Sequence, residues 1–376
     1  MTISIDRGAL LAALKKCLPG VDKGTALFEG ADTFMFTPGF VHAYNDAIAV
    51  SAPLQAEGLV GAVKAVDFFK LASKMKATLL TIEATDTQWE VTGGRTKSRQ
   101  TLVDSSQIKA YIDTMGLASA QWDELPKNFM DAVKLCQLSS NTSKLRGVMV
   151  GCPEGSGVSL VMATDSVRIA CHALDRRMPD FWLDDPNVNE LVKLGDPTHY
   201  CVVGPWLHLK YADGSVFSSK TKDCAGYPVT IIKQNVDTYG AAATSVEGKF
   251  PKDIAESVDR VATMAAAQDG CSNLVRLTFR KDALGIYASK ATGDAEEVVP
   301  WDEPLATDPN IVVYVESAFL VEASKKGMDF KVSEIEGSTA VMFTSGDFKN
   351  FVMTQEGPGT SGAAPSDGPE VHGLDD

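Results

Sequence analysis

The sequence has no Cys-x-x-Cys pair among its seven cysteines, at positions 17, 136, 152, 171, 201, 224 and 271, which removes the usual zinc spacings. Several of these cysteines lie in apolar runs, so they read as buried free thiols of a reducing compartment. No stretch approaches 18 uninterrupted apolar residues, which argues against a membrane-spanning helix. The opening Met1-Thr2-Ile3-Ser4-Ile5-Asp6 has neither a basic nor an apolar region, so no signal peptide is expected. The five histidines (His42, His172, His199, His208 and His372) form no His-Glu-x-x-His. Gly-x-Ser-x-Gly, the phosphate-binding Gly-rich loop and the EF-hand loop are missing too. His172 and Asp175 could pair a base with a carboxylate, but no nucleophile stands near them in sequence. Asp184, Asp185 and Glu190 could hold a hard cation; as acids at a helix N-terminus they need no ligand. Nothing nominates an enzyme, and no cofactor or metal is expected.

What is present is an ordinary globular composition, 44% hydrophobic and 22% charged, long enough for two or three domains. The net charge of −14 speaks against a nucleic-acid binder until its distribution is read. Residues 1–120 hold 12 Lys/Arg against 12 Asp/Glu, residues 121–240 hold 12 against 14, and the rest holds 11 against 23. Residues 357–376, rich in Gly, Pro, Ser and Asp, read as a disordered acidic tail. Their Gly-x-Gly-x-x-Gly at Gly357, Gly359 and Gly362 is a chance match, because Pro358 and its polar surroundings forbid the helix such a motif must open.

Ahead of the tail, one pattern recurs three times: an amphipathic helix, strands, a second helix, more strands. First helices are predicted over 6–18 (Leu10, Leu14, Cys17 and Leu18 on one stripe), 127–138 (Phe129, Val133, Cys136) and 251–267 (Ile254, Val258, Val261, Ala262, Ala265). Second helices are predicted near 64–76, 187–194 and 316–326, the last ambiguous by pattern. The segment from Asn45 to Val50 resembles that from Thr164 to Ile169, an acid-containing turn followed by alternating apolar positions. Hairpins are predicted where strands run into Gly turns at Trp89–Gly94, Leu207–Gly214 and Ala340–Asp347. The expectation is an α+β fold of three repeated units, 1–117, 118–238 and 239–356, each made of two half-repeats, with antiparallel sheets and helices on one face.

The segment Leu160–Ala170, Val216–Lys220 followed by Gly226-Tyr227-Pro228, Leu145-Arg146-Gly147-Val148 and Phe351-Val352-Met353, taken in their order and spacing, resemble the bacterial beta sliding clamp, the processivity subunit of replicative DNA polymerase. The resemblance covers residues 1 to about 356 and is strongest at 144–232. The family usually has Gly-His after the acid where this chain has Ser166-Val167; the middle unit's second helix is rich in Pro and Asp, and the tail is extra. These departures mark a divergent member, for which a viral origin is an alternative to a bacterial one. The resemblance implies a head-to-tail ring of two chains, three DNA-clamp domains each, with sheets outside and paired helices lining a hole around duplex DNA. It implies a DNA polymerase and a clamp loader as partners, no membrane, and a bacterial or host-cell cytoplasmic location. It further implies that these partners insert a short apolar peptide into a pocket lined by Leu145, Thr164, Ser166, Val167, Arg168 and Ile169, with Phe351 and Met353 across from them. Read as residues alone, the same positions also suit an ordinary core strand, although an arginine inside an apolar strand calls for a partner.

Basic residues gather on the predicted helices: Lys15 and Lys16, Lys70 and Lys74 (opposite Val66, Phe69 and Ala72), Lys127 and Lys134, Lys252 and Arg260, and Lys325 with Lys326. Lysines also solubilise helix faces and favour helix C-termini; with the resemblance they become DNA-facing, making weak, sequence-blind phosphate contacts. A repeat-built scaffolding protein, such as a virion component with no DNA at its centre, is the other reading of an acidic, repetitive chain without catalytic motifs. A hydrolase with a scattered site is a third and has no motif behind it.

Overall fold

The computed structural model of the chain describes residues 1–24, 28–140, 144–165, 167–242, 244–265, 273–326, 328–335 and 338–354. The tail, Ser166 and Cys271 therefore lie outside the described residues. Two compact units emerge, the first from residues 1–163 and 173–229, the second from 164–172 and the chain from Thr230 on.

From the N-terminus the chain forms β1 (Thr2–Asp6), α1 (Arg7–Cys17), β2 (Thr33–Thr37), β3 (Phe40–Tyr44), β4 (Ile48–Pro53), β5 (Gly61–Lys64), α2 (Ala65–Lys74), β6 (Leu79–Ala84), β7 (Gln88–Gly93), β8 (Thr96–Thr101) and α3 (Ser106–Thr114). It continues through β9 (Asp123–Glu124), α4 (Phe129–Gln137), β10 (Val148–Gly151), β11 (Leu160–Thr164), β12 (Arg168–Ala173), β13 (Phe181–Leu183), α5 (Asp185–Leu191), β14 (His199–Val203), β15 (Trp206–Lys210) and β16 (Val216–Lys222). The last part holds α6 (Val229–Ala241), β17 (Thr244–Lys249), α7 (Ile254–Ala262), β18 (Leu274–Phe279), β19 (Ala283–Lys290), β20 (Gly293–Pro300), β21 (Ile311–Glu316), α8 (Ser317–Lys325), β22 (Asp329–Ile335), β23 (Ser338–Ser345) and β24 (Phe348–Met353).

In the first unit, β1-β6-β7-β8 form one antiparallel sheet, and β5-β2-β3-β4-β16 run on as another, with β15 on the far side of β16. In the second unit the sheets are β17-β22-β23-β24-β12 and β20-β19-β18-β21. The predicted first and second helices pack on each other as pairs: α1 on α2 and α4 on α5 in the first unit, α7 on α8 in the second. All three predicted hairpins form, with Gly94, Gly214 and Gly346 at φ of 64°, 86° and 56° in their turns. That left-handed region is where glycine replaces other residues without steric penalty.

Local chemistry explains these elements. Asp6 caps α1 by accepting from the Ala9 amide at 2.7 Å, and Lys15 and Lys16 sit in its last turn, where the helix dipole favours cations. Leu10, Leu14 and Cys17 are fully buried, as are Phe129, Val133 and Cys136 of α4. Each helix ends in a thiol that donates to a strand carbonyl, Cys17 to Val41 at 3.4 Å and Cys136 to Val161 at 3.2 Å. Burial pushes the Cys17 thiol far up, so it stays protonated and unreactive. Gly147 has φ 111°, and a Cβ there would lie 2.0 Å from the Leu183 carbonyl oxygen, so no other residue fits between β10 and β13.

The structure also departs from expectation. The buried face of α2 is Ala65, Phe68 and Ala72; of the expected stripe Ala72 is buried, but Phe69 is half-buried and Val66 exposed, their places being taken by Phe68 and Ala65. The helix expected over 251–267 ends at Ala262, and that expected over 187–194 runs from Asp185 to Leu191. Two helices went unpredicted, α3 and α6, and the expected boundary at 238/239 falls inside α6.

Two histidines are built into the first unit. His42 lies between Thr37 Oγ1 (2.8 Å) and Ser51 Oγ (2.7 Å), and His208 contacts Ser218 Oγ at 2.7 Å. Burial lowers both to about 4, with Asp113 opposing the shift at His42 only in part. An unfolded chain protonates these rings below its ordinary value near 6.5. The folded chain does not, so stability present above that value is lost as pH falls towards 4. The melting temperature is therefore expected to drop by several degrees between those limits, less so in His208→Gln; an equal drop in that variant would assign the effect elsewhere.

Candidate functional site

The strand that begins at Arg168 is set by a side-chain turn. Asp165 Oδ1 accepts from the Val167 and Arg168 amides at 3.2 and 3.0 Å, and Thr164 Oγ1 donates to the Arg168 carbonyl at 2.8 Å. Asn45 does the same in the first repeat, accepting from Ala47 and Ile48 at 3.2 and 2.8 Å. The two segments thus correspond as anticipated, but with Asn45, not Asp46, in the role of Asp165. Asp46 takes the left-handed position of its turn, φ 70°.

Antiparallel register then sorts the side chains. Ile169 faces Phe351 across β12–β24, and Phe351 faces Met342 and Met353 faces Ala340 across β24–β23. Opposed residues share a sheet face, so these lie together. Val167 is at the rim, its carbonyl accepting from the Met353 amide at 3.1 Å. Val167, Ile169 and Met353 are half-buried while Phe351 is buried beside the Tyr239 ring of α6, centroids 6.0 Å apart. The result is an apolar strip with open ends on one face of the second unit. Leu145 belongs to the first unit, where it is half-buried.

On the opposite face, Arg168 is 5% exposed and fully engaged. Its Nε donates to Asp165 at 2.9 Å, its Nη1 to Glu322 of α8 at 3.1 Å, and its guanidinium lies 3.9 Å from the Phe319 ring centre. Its role is therefore to hold the strand from behind, and not to reach into the strip as a polar contact.

The basic residues divide in the same way. Lys15, Lys70, Lys74, Lys127 and Lys252 have exposed side chains and make no ion pair among the described residues. Lys16 is bound to Asp213 and donates to Ser215 Oγ at 2.9 Å. Burial opposes ionisation of Asp213, yet Lys16 and Ser215 hold it down at about 2. Lys134 pairs with Asp196 at 3.3 Å, and Arg260 with Glu297 at 2.7 Å. The Lys325 side chain lies outside what the structure describes.

Asp184 is taken by Arg146 (2.8 Å) and Lys222 (3.5 Å), and Asp185 accepts from Ser140. Among the described residues no group of three metal-ligating side chains occurs, and no helix is long and apolar enough to cross a membrane. His172 is buried against Phe348.

No protein-family model and no curated protein matches the chain. Solved structures do. The DNA polymerase III beta chain of Streptococcus pneumoniae superposes with TM-score 0.78 at 14% identity, over 95% of this chain and 100% of that one. The chain has the fold of a beta sliding clamp. The DNA polymerase sliding clamp of Bacillus subtilis gives 0.77 at 16% identity over 95% and 99%. The Helicobacter pylori beta clamp bound to a DNA ligase peptide gives 0.74 at 15% identity over 95% and 100%. The α+β clamp fold expected from the sequence is thus the fold observed. The sequence reading did not find Tyr239, Phe319 or Glu322, which meet the clamp-fold strands β24 and β12. For Tyr239 a signal existed: Ile232 and Val236, one turn apart after Pro228, mark the buried stripe of α6.

Proposed function

We propose that this chain is a DNA sliding clamp, a ring-shaped processivity factor that makes and breaks no bond of its own. The observation that carries the reading is the clamp fold spanning nearly the whole chain and the full length of its structural neighbours. Three domains, 1–117, 118–238 and 239–356, close head to tail with those of a second copy around duplex DNA. A closed ring cannot leave circular DNA, so a tethered polymerase stays at high effective concentration near the primer end. A clamp loader opens and places the ring, in the cytoplasm where replication occurs.

Internal repetition supports the closure and suggests its strands. β4 pairs with β16, and β12 pairs with β24; in each case the third strand after the first helix of one repeat meets the last strand of the next. Continued once more, the rule calls for β20 to meet β8, which are the outer strands of their two four-stranded sheets. β8 exposes Lys97 and Arg99, while β20 exposes Asp294 and Glu296. A free strand edge invites another chain, and opposite charges choose which one.

The strip of Val167, Ile169, Phe351 and Met353 is the docking groove for an apolar peptide of the polymerase or loader, supported by the peptide-bound Helicobacter pylori neighbour. On the DNA side, Lys15, Lys70, Lys74, Lys127 and Lys252, which make no ion pair among the described residues, carry most of the phosphate contact. Lys16, Lys134 and Arg260, held by carboxylates, contribute less, and Lys325 completes the set from α8. Replacing Lys70 and Lys74 together by Glu is expected to weaken low-salt binding to nicked plasmid about ten-fold and flatten its salt dependence. Sedimentation with plasmid over a salt series checks this; unchanged binding with an unchanged slope would take α2 away from DNA.

A further inference from the structure

We infer that Glu322 and Phe319 of α8 are positioning residues for the groove, an ionic bracket that fixes β12 from behind and makes peptide binding sensitive to acid. This rests on the reading of the strip as a docking groove. β12 has two working faces: Ile169 lies in the strip, and the adjacent Arg168 points to α8. A peptide that pushes on Ile169 therefore pushes against whatever holds Arg168. That hold is a nearly buried guanidinium, paired with carboxylates on two different elements and stacked on an aromatic ring. A buried cation that loses one carboxylate is left poorly compensated, so the strand has reason to shift.

The other repeat junction is a built-in comparison. There the second helix of the following repeat also reaches the junction, through α5, but the contact is neutral: Asn187 Nδ2 donates to Ser219 Oγ at 2.9 Å and to the Ala47 carbonyl at 3.4 Å. Ile48 stands where Arg168 stands. The β4–β16 junction has ion pairs too, Lys220 with Asp46 at 3.3 Å and Lys222 with Asp184 at 3.5 Å, but their lysines are partly exposed, whereas the Arg168 cation at the groove junction is nearly buried. The charged groups around Glu322 are Arg168, Lys326 at the end of its own helix, and Asp165 of the strand turn. Burial pushes the Glu322 carboxyl up, Arg168 and Lys326 pull against this, and Asp165 adds to it. Glu322 therefore takes up a proton at higher pH than an ordinary glutamate, and protonation removes one arm of the bracket.

The test uses the full chain, Glu322→Gln, and Asn187→Ala as the comparison. Hydrogen exchange is read at the amides of Ile169 and Cys171, and affinity is read with the Helicobacter pylori DNA ligase peptide from pH 7.5 down to 5. We expect Glu322→Gln to speed exchange in β12 and to weaken the peptide about five-fold at neutral pH. The wild type should weaken towards that level as pH falls while the variant stays flat; Asn187→Ala should leave both readings in β12 unchanged. Unchanged exchange in Glu322→Gln overturns the bracket while leaving the groove in place. Equal pH profiles for wild type and variant overturn its acid sensitivity. Faster exchange with no peptide binding to the wild type overturns the groove reading itself, and the inference with it.

Discussion

Reversing the charges on the outer strand of the third repeat, Asp294→Lys with Glu296→Lys, is expected to split the two-chain ring into single chains. Both side chains are exposed and make no ion pair among the described residues, so the change should not unfold β20, which is held from its other face by Arg260 on Glu297. In the proposed ring they would meet Lys97 and Arg99, which lean on a single carboxylate, Glu90, on the neighbouring strand. Glu90 cannot neutralise both, so β8 keeps a positive edge. Turning two attractive pairs into repulsive ones should raise the dissociation constant about 100-fold, within the range seen for close charge pairs at interfaces. Mass photometry at low salt reads the ratio of one-chain to two-chain particles directly. Adding Lys97→Glu and Arg99→Glu to the same chain should restore the dimer in part, with Glu90 limiting recovery. A double variant that remains dimeric would remove β8 and β20 from the closure.

The second large effect concerns the groove. Ile169→Asp should abolish capture of an apolar peptide, with affinity falling about 100-fold through loss of a central contact and the cost of desolvating a carboxylate against Phe351 and Met353. The fold should survive, because Ile169 is only half-buried and the strand register is kept by backbone bonds and by Arg168. Isothermal titration with the ligase peptide gives the affinity, and the melting temperature gives the control. Full affinity in a folded variant would place the docking site elsewhere.

How much of the fold the sequence reveals depends on the range of the interaction. Stripes such as Leu10, Leu14 and Cys17 repeat with the helix period, and Gly turns such as Gly94 and Gly346 end strands by a local steric rule, so both were legible. Helix α3 was not, although Ile108, Ile112 and Met115 fall on one stripe. Asp104 does accept from the Ser106 amide at the helix start, at 3.0 Å, but the helix's packing partners, Tyr44 and Trp206, come from distant strands. The face of α2 slipped by one residue because Val66 and Phe69 are as apolar as the buried Ala65 and Phe68, and composition alone could not choose between them. Within the site, the alternation at Val167, Ile169, Phe351 and Met353 was visible, and so was the need for a partner to Arg168. One carboxylate partner, Asp165, is three residues away, but the other, Glu322, is 154 residues away. The same holds for Lys16, whose engagement by Asp213 across 197 residues takes it off the list of free cations. Ion pairs between distant segments leave no periodic trace, which is why the basic helix faces looked more uniform in sequence than they are in the fold.

The central claim is that two copies of this chain close into a ring. Negative-stain electron microscopy of the purified protein, with two-dimensional class averages, tests it most directly. Closed rings with six lobes and an open central hole are the predicted result. Compact particles with no hole, at a concentration where mass photometry finds two chains together, would contradict it.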